Sequence, residues 1–198
     1  MSEVLFGIDF GSKLAGTTVI SIFKNGSIYF LDVDDGVDAD DFILKAADHF
    51  KPNCVFIDAP LSLPGKYRGC LGLDDYMFRR ADKELKAMSP MFLGGLTARA
   101  IRLKDLLEEM EIEVMETYPK ILATRYDLQN LGYKANSTQL NVCRSKLQDA
   151  LNPNINMDCS DIKTWHHLDS LLALMSAMNY KSGTAEIYGD EREGLIIV

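Results

Sequence analysis

Near the N-terminus an apolar run is broken by one acid and one glycine, and this stretch limits what the chain can fold into. Val4, Leu5, Phe6, Ile8 and Phe10 form an almost continuous apolar run, the pattern of a strand buried on both faces near the centre of a sheet. Asp9 sits where the run ends, and Gly7, Gly11 and Gly16 leave room for close backbone approach or left-handed turns. A carboxylate at the mouth of a central strand is costly to bury alone, so Asp9 calls for a metal, a cation or a cation-bound phosphate. Its alternative role is to begin a turn by accepting from the amides that follow. The glycine spacing is not the dinucleotide-binding fingerprint, and a strand rather than a helix comes next.

Thr17 to Phe23 is that β-branched run, and Ser27 to Val33 is another beyond the hairpin signal Lys24-Asn25-Gly26. With the first strand they make an antiparallel meander. The acidic stretch Asp32 to Asp41 lacks the ordered ligand positions of a calcium loop and reads as solvated loop and helix start. Ala39 to Phe50 is predicted as a helix, and Asn53 to Asp58 as a second buried strand, parallel to the first because a helix leads into it. This strand too ends in an acid, Asp58, and Pro60 and Pro64 keep its exit extended. Two strand ends bearing Asp converge on one edge of the sheet, where open α/β sheets place ligands.

Gly65 to Gly72 is predicted as a loop, Asp74 to Met88 as a helix and about Thr97 to Met110 as a longer one. Glu113 to Thr117 is a short strand carrying a third terminal acid, Glu116, whose alternative is a plain solvent-facing residue. From Pro119 to Asp161 the pattern gives short helices and loops, including a helix over Leu140 to Leu151, and signals nothing beyond packing. Thr164 to Tyr180 is the last helix, with Asp169 heading a stripe of Ala173, Ser176 and Ala177 that suits close packing on the sheet. His166, one turn before Asp169, is placed to bond it or a substrate phosphate. Ala185 to Tyr188 and Leu195 to Val198 read as a closing hairpin.

The expectation is one domain over 1–198 of α/β class, with a helical segment around 119–161 and a C-terminal hairpin. No apolar run has the length of a membrane span and the N-terminus is not a secretory signal, so no membrane partner and a cytoplasmic location are expected. Cys54, Cys70, Cys143 and Cys159 lack a zinc spacing and read as reduced thiols. A formal net charge of -8 argues against a whole-surface nucleic-acid platform. Charge is segregated, however: from Ser62 to Lys104 nine basic residues face four acidic ones, which permits a local anion-binding face.

The order of elements, three meander strands, helix, strand, helices, strand and a terminal helix carrying an acid, resembles the ribonuclease H-like fold. The pieces GIDFGS, IDAPLSLP, FRRADKEL, METYP, HHLDSLLAL and YGDEREGLI are similar to family 429 among domains of unknown function, usually described as predicted RNase H-like nucleases. These blocks span nearly the whole chain. The resemblance implies a carboxylate cluster of Asp9, Asp58 and Asp169, with Glu116 as a fourth catalytic candidate, holding two Mg²⁺ or Mn²⁺ ions. It implies a nuclease that hydrolyses phosphodiester bonds, one ion activating water and the other stabilising the leaving oxygen. Lys66, Arg79, Arg80 and His166 would then face nucleic acid or a nucleotide. Glu116 departs from the usual placement in ribonucleases H, where an acid lies on the first helix.

Two other readings compete. A non-catalytic module on the same fold would bind a nucleotide or protein partner through the Ser62 to Lys104 region. An actin-like ATPase half is suggested by Gly7, Asp9 and Gly11, but the first motif is not repeated and the length allows only one such domain.

Overall fold

The computed structural model describes residues 3–198. The chain is α/β, with one seven-stranded mixed sheet in the order β3-β2-β1-β4-β5-β7-β6. β1 (Val4–Asp9), β2 (Val19–Lys24) and β3 (Ser27–Asp32) form the antiparallel meander. Asn25 and Gly26 join the last two, both at positive φ (52° and 76°), as a two-residue primed turn requires. β4 (Cys54–Asp58) runs parallel to β1, and β5 (Glu113–Glu116) parallel to β4. β6 (Ile187–Asp190) and β7 (Gly194–Ile197) are the closing hairpin, and β7 joins β5 through the single pair Glu116 and Ile196.

Two cores lie on the two faces of this sheet. On one face Phe6, Ile8, Val55, Ile57 and Val114 pack against Ile43 of α1 (Ala39–Phe50) and against Leu103 and Leu107 of α4 (Gly95–Glu109). On the other, Leu5 and Phe56 pack against Leu122 of α5 (Pro119–Arg125), Leu147 of α6 (Ser137–Ala150) and Leu168, Leu171 and Leu172 of α7 (Trp165–Ser182). Alternation along a strand has period two, so Asp9 shares a face with Leu5 and Asp58 with Phe56. Both point to the α7 side.

Gly7 fixes how near α7 can come. A Cβ at Gly7 would lie 2.0 Å from the Leu174 amide nitrogen and 2.4 Å from the Ser170 carbonyl oxygen, so the helix backbone rests directly on the strand. Two hydroxyl pairs stitch the same contact, Ser21 with Ser170 at 2.7 Å and Thr117 with Ser176 at 2.9 Å. Buried polar groups are thereby satisfied without separating helix from sheet.

Three elements differ from their predicted form. The helix expected over Asp74 to Met88 is only α2 (Arg80–Leu85). Upstream, the Asp75 carboxylate accepts from the Met77 and Phe78 amides and holds a turn. Asp82 then caps the helix start through the Arg79 amide, and Lys86 ends it at φ 51°. The longer helix stands as α4, starting at Gly95 rather than Thr97, and an unpredicted short helix, α3 (Pro90–Leu93), precedes it across Gly94, with φ 48° and ψ -104°. β2 begins at Val19 rather than Thr17, and just before it the Thr18 hydroxyl accepts from the Gly11 amide. Among the described residues no helix is long and apolar enough to cross a membrane. All four cysteines are free thiols, Cys54 and Cys143 buried.

Candidate functional site

Asp9 and Asp58 are register partners at the C-terminal ends of neighbouring parallel strands. α7, drawn close by Gly7, adds Asp169 from its first turns. One carboxylate oxygen from each of the three lies within 4.8 Å of the others. Residues from three separate parts of the chain thus meet at one strand edge. Each neighbours a different group.

The Asp9 Oδ2 atom is 2.7 Å from Nδ1 of His166, so the histidine's partner is Asp9 and not Asp169. This contact raises the imidazole's affinity for its proton. Asp169 is buried, and both of its oxygens are engaged: the Tyr133 hydroxyl donates to Oδ1 and Lys134 Nζ pairs with Oδ2 at 2.6 Å. Burial, with the Asp9 charge adding to it, still pushes the Asp169 carboxyl up to about 6 against the pull of Lys134. Asp58 keeps part of its surface open toward a cavity, yet its carboxyl lies deep enough for burial, then Asp9 and Asp169, to push it well above the usual carboxylate range. Burial opposes a charge on Lys134, but the contact with Asp169 and the charges of Asp58 and Asp9 outweigh it, so the ammonium is retained.

Tyr133 and Lys134 correct the expectation that 119–161 contributes packing alone. They sit in the connection between α5 and α6, where Lys134 takes φ 63°, and no spacing in the sequence marks a lone loop lysine as a partner of a distant acid. Trp165 supports the arrangement, its ring edge-on to Tyr133 at 5.6 Å between centroids.

The structure does not bring Glu116 into this cluster. Glu116 pairs with Ile57 in register and shares the face of Val114, opposite α7. There it meets Arg79, which is fully buried and donates to both Glu116 oxygens at 2.6 Å and to both Asp82 oxygens at 3.1 and 2.7 Å. Burial raises the Glu116 carboxyl, and Arg79 opposes the rise. The same network ties in the C-terminal hairpin: Ser62 accepts from Arg79 and donates to the Glu193 carbonyl, and the Glu193 carboxylate accepts from the Gly65 and Arg80 amides. Arg79 is thus consumed internally.

The other basic residues of the Ser62 to Lys104 segment are largely paired as well. Lys66 bonds Asp74, Arg80 bonds Glu84, Lys83 bonds Asp75, Arg99 bonds Asp40 and Lys104 bonds Glu108. Arg80 and Lys66 are outward ion pairs, and neither touches the carboxylates. The charge segregation of the sequence is mostly neutralised by local acids.

The donor set is three carboxylates with no cysteine and no neutral nitrogen bound to them in common, which suits hard cations such as Mg²⁺ or Mn²⁺. Bonds of about 2.1 Å place two ligands of one such ion up to roughly 4.2 Å apart, so oxygens within 4.8 Å of one another would need to close by at most a few tenths of an ångström to share it. No family model matches the chain, and no curated protein matches it.

Proposed function

We propose that this protein is a divalent-metal-dependent hydrolase of phosphodiester bonds on a ribonuclease H-like fold. The observation that carries the reading is the convergence of Asp9, Asp58 and Asp169, from β1, β4 and α7, on one point at the C-terminal edge of a sheet. Asp9 and Asp58 end β1 and β4, and Asp169 lies on α7, and this placement on the elements that the resemblance names supports the reading. Three carboxylates held this close repel unless a cation joins them.

Asp9, Asp58 and Asp169 would hold Mg²⁺ or Mn²⁺, and the bound ion supplies an activated water and charge neutralisation at the phosphate. The chain's own residues prepare that site. His166 steadies Asp9, leaving its second oxygen free, while Tyr133 and Lys134 fix the Asp169 rotamer. Lys134 has three donor hydrogens and spends one on Asp169, so it can also pair with an anionic oxygen of a substrate. Glu116 and Arg79 act as a rigid wall rather than as ligands, since each is satisfied by the other.

The test is calorimetric titration of Mn²⁺ and Mg²⁺ into the wild type and Asp9→Asn, followed by a nuclease screen on single-stranded and branched oligonucleotides. Saturable binding that Asp9→Asn loses, together with metal-dependent cleavage, supports the reading. Absence of metal binding by the wild type rejects it.

A further inference from the structure

Beside the carboxylates lies a cavity of about 380 Å³ with walls of two chemistries. Its lining includes the charged Asp58 and Lys134 and the apolar Pro60, Met88, Leu93 and Leu96. The apolar side is unusual in that the fold leaves it uncovered. Met88 is 60% exposed and Leu93 half-buried, while Leu96 packs in part against the core beneath α4 and is in part open to the cavity. The deepest polar groups, Arg79 and Glu116, are already satisfied by each other and offer a fixed floor without spare donors. Tyr118 completes the lining.

A ligand that matches these walls has an anionic part beside Lys134 and the cation position and a flat, weakly polar body against the leucines and Tyr118. The volume falls in the range that accepts a small organic molecule. One nucleotide satisfies both demands, its base against the apolar lining and its phosphate beside Lys134. We propose that this cavity receives the unpaired base of the nucleotide adjoining the phosphate held at the carboxylates, with Lys134 pairing with that nucleotide's phosphate. The inference rests on the metal-dependent phosphodiester reading above. It assigns the substrate class: single-stranded ends or loops, because a base in a duplex must first be unstacked and unpaired, and a sequence-tolerant base contact, because the apolar wall and an aromatic ring read a π-face rather than an edge.

The experiment measures binding to three probes with Ca²⁺ in place of Mg²⁺: adenosine 5′-monophosphate, a short single-stranded oligonucleotide, and the same strand in a duplex. Mn²⁺ affinity is measured in parallel. The single strand is expected to bind at least tenfold more tightly than the duplex. Leu93→Trp, which fills the recess, is expected to weaken the monophosphate and the single strand at least tenfold while leaving Mn²⁺ affinity unchanged. Met88→Asp, at an exposed position that does not endanger folding, is expected to do the same. Mn²⁺ binding accompanied by equal affinity for duplex and single strand, or by variants that bind both probes as the wild type does, overturns the cavity assignment alone. Failure of the wild type to bind Mn²⁺ overturns this inference together with the reading it rests on.

Discussion

Replacing Asp58 by Asn should make the metal-free protein more stable, not less. Asp58 faces two carboxylates with oxygens within 4.8 Å and borders Lys134. At an effective dielectric constant near 20, two unit charges at that separation repel by roughly 3 to 4 kcal/mol. Lys134 offsets part of this repulsion, by less than either carboxylate adds. Linkage sets a ceiling: at pH 7 the penalty cannot exceed about 4 kcal/mol, since a costlier carboxylate takes up a proton instead. Asn retains the shape and removes the charge, so the expected gain is about 2 to 4 kcal/mol. For a chain of this size each kcal/mol moves Tm by about 2 to 4 °C, which predicts a rise of roughly 5 to 15 °C in a thermal melt at pH 7 with EDTA. With saturating Mn²⁺ the order should invert, because the ion stabilises only the wild type. A Tm for Asp58→Asn equal to or below that of the wild type in EDTA would refute the premise that the three acids repel across a shared site.

Asp169, with Asp58 shifted in the same direction, shapes the pH dependence of the metal-free protein. The folded Asp169 carboxyl at about 6 lies above the ordinary 3.8, so the folded state takes up the proton first; its contribution to stability is fully present below about pH 4 and falls by about 3 kcal/mol as pH rises to about 6. Denaturant titrations across that window should show the fall, and Mn²⁺ should flatten it. Gly7→Ala should cost more than 3 kcal/mol or prevent folding, because its Cβ would overlap α7 backbone at 2.0 Å; circular dichroism and denaturant melts report it. Arg79→Met should lose about 3 to 5 kcal/mol by stranding Glu116 and Asp82 in the interior. Glu116→Gln should leave calorimetric Mn²⁺ binding unchanged, and a loss of binding there would make Glu116 a ligand after all.

The sequence exposes the site where local pattern and site coincide. Val4 to Asp9 and Cys54 to Asp58 are apolar runs closed by an acid, and Asp169 heads a stripe of small residues, so all three carboxylates stand out from their surroundings. Glu116 ends a strand in the same manner and misleads for a reason of parity. Only the register, with Glu116 beside Ile57, shows that it points to the opposite face. Arg79 and Arg80 are adjacent in the sequence yet one is fully buried and the other outward; composition cannot separate them because the distinction is made by Glu116, 37 residues on. Tyr133 and Lys134 are invisible for a related reason. Their role depends on where a loop lands in space, and loops carry no periodicity to announce it.

The seating of α7 on Gly7 also orders events in folding. Asp9 and Asp58 are brought together by the meander, α1 and β4, contacts of modest sequence separation, whereas Asp169 arrives only when α7 docks from 160 residues away. Loop-closure entropy places such distant contacts late. The repulsion among the acids is therefore expected to be felt late, and a cation that relieved it would act on a state already close to native. A bound cation would then be expected to lengthen the lifetime of the folded protein by slowing unfolding, with the folding rate nearly as it was.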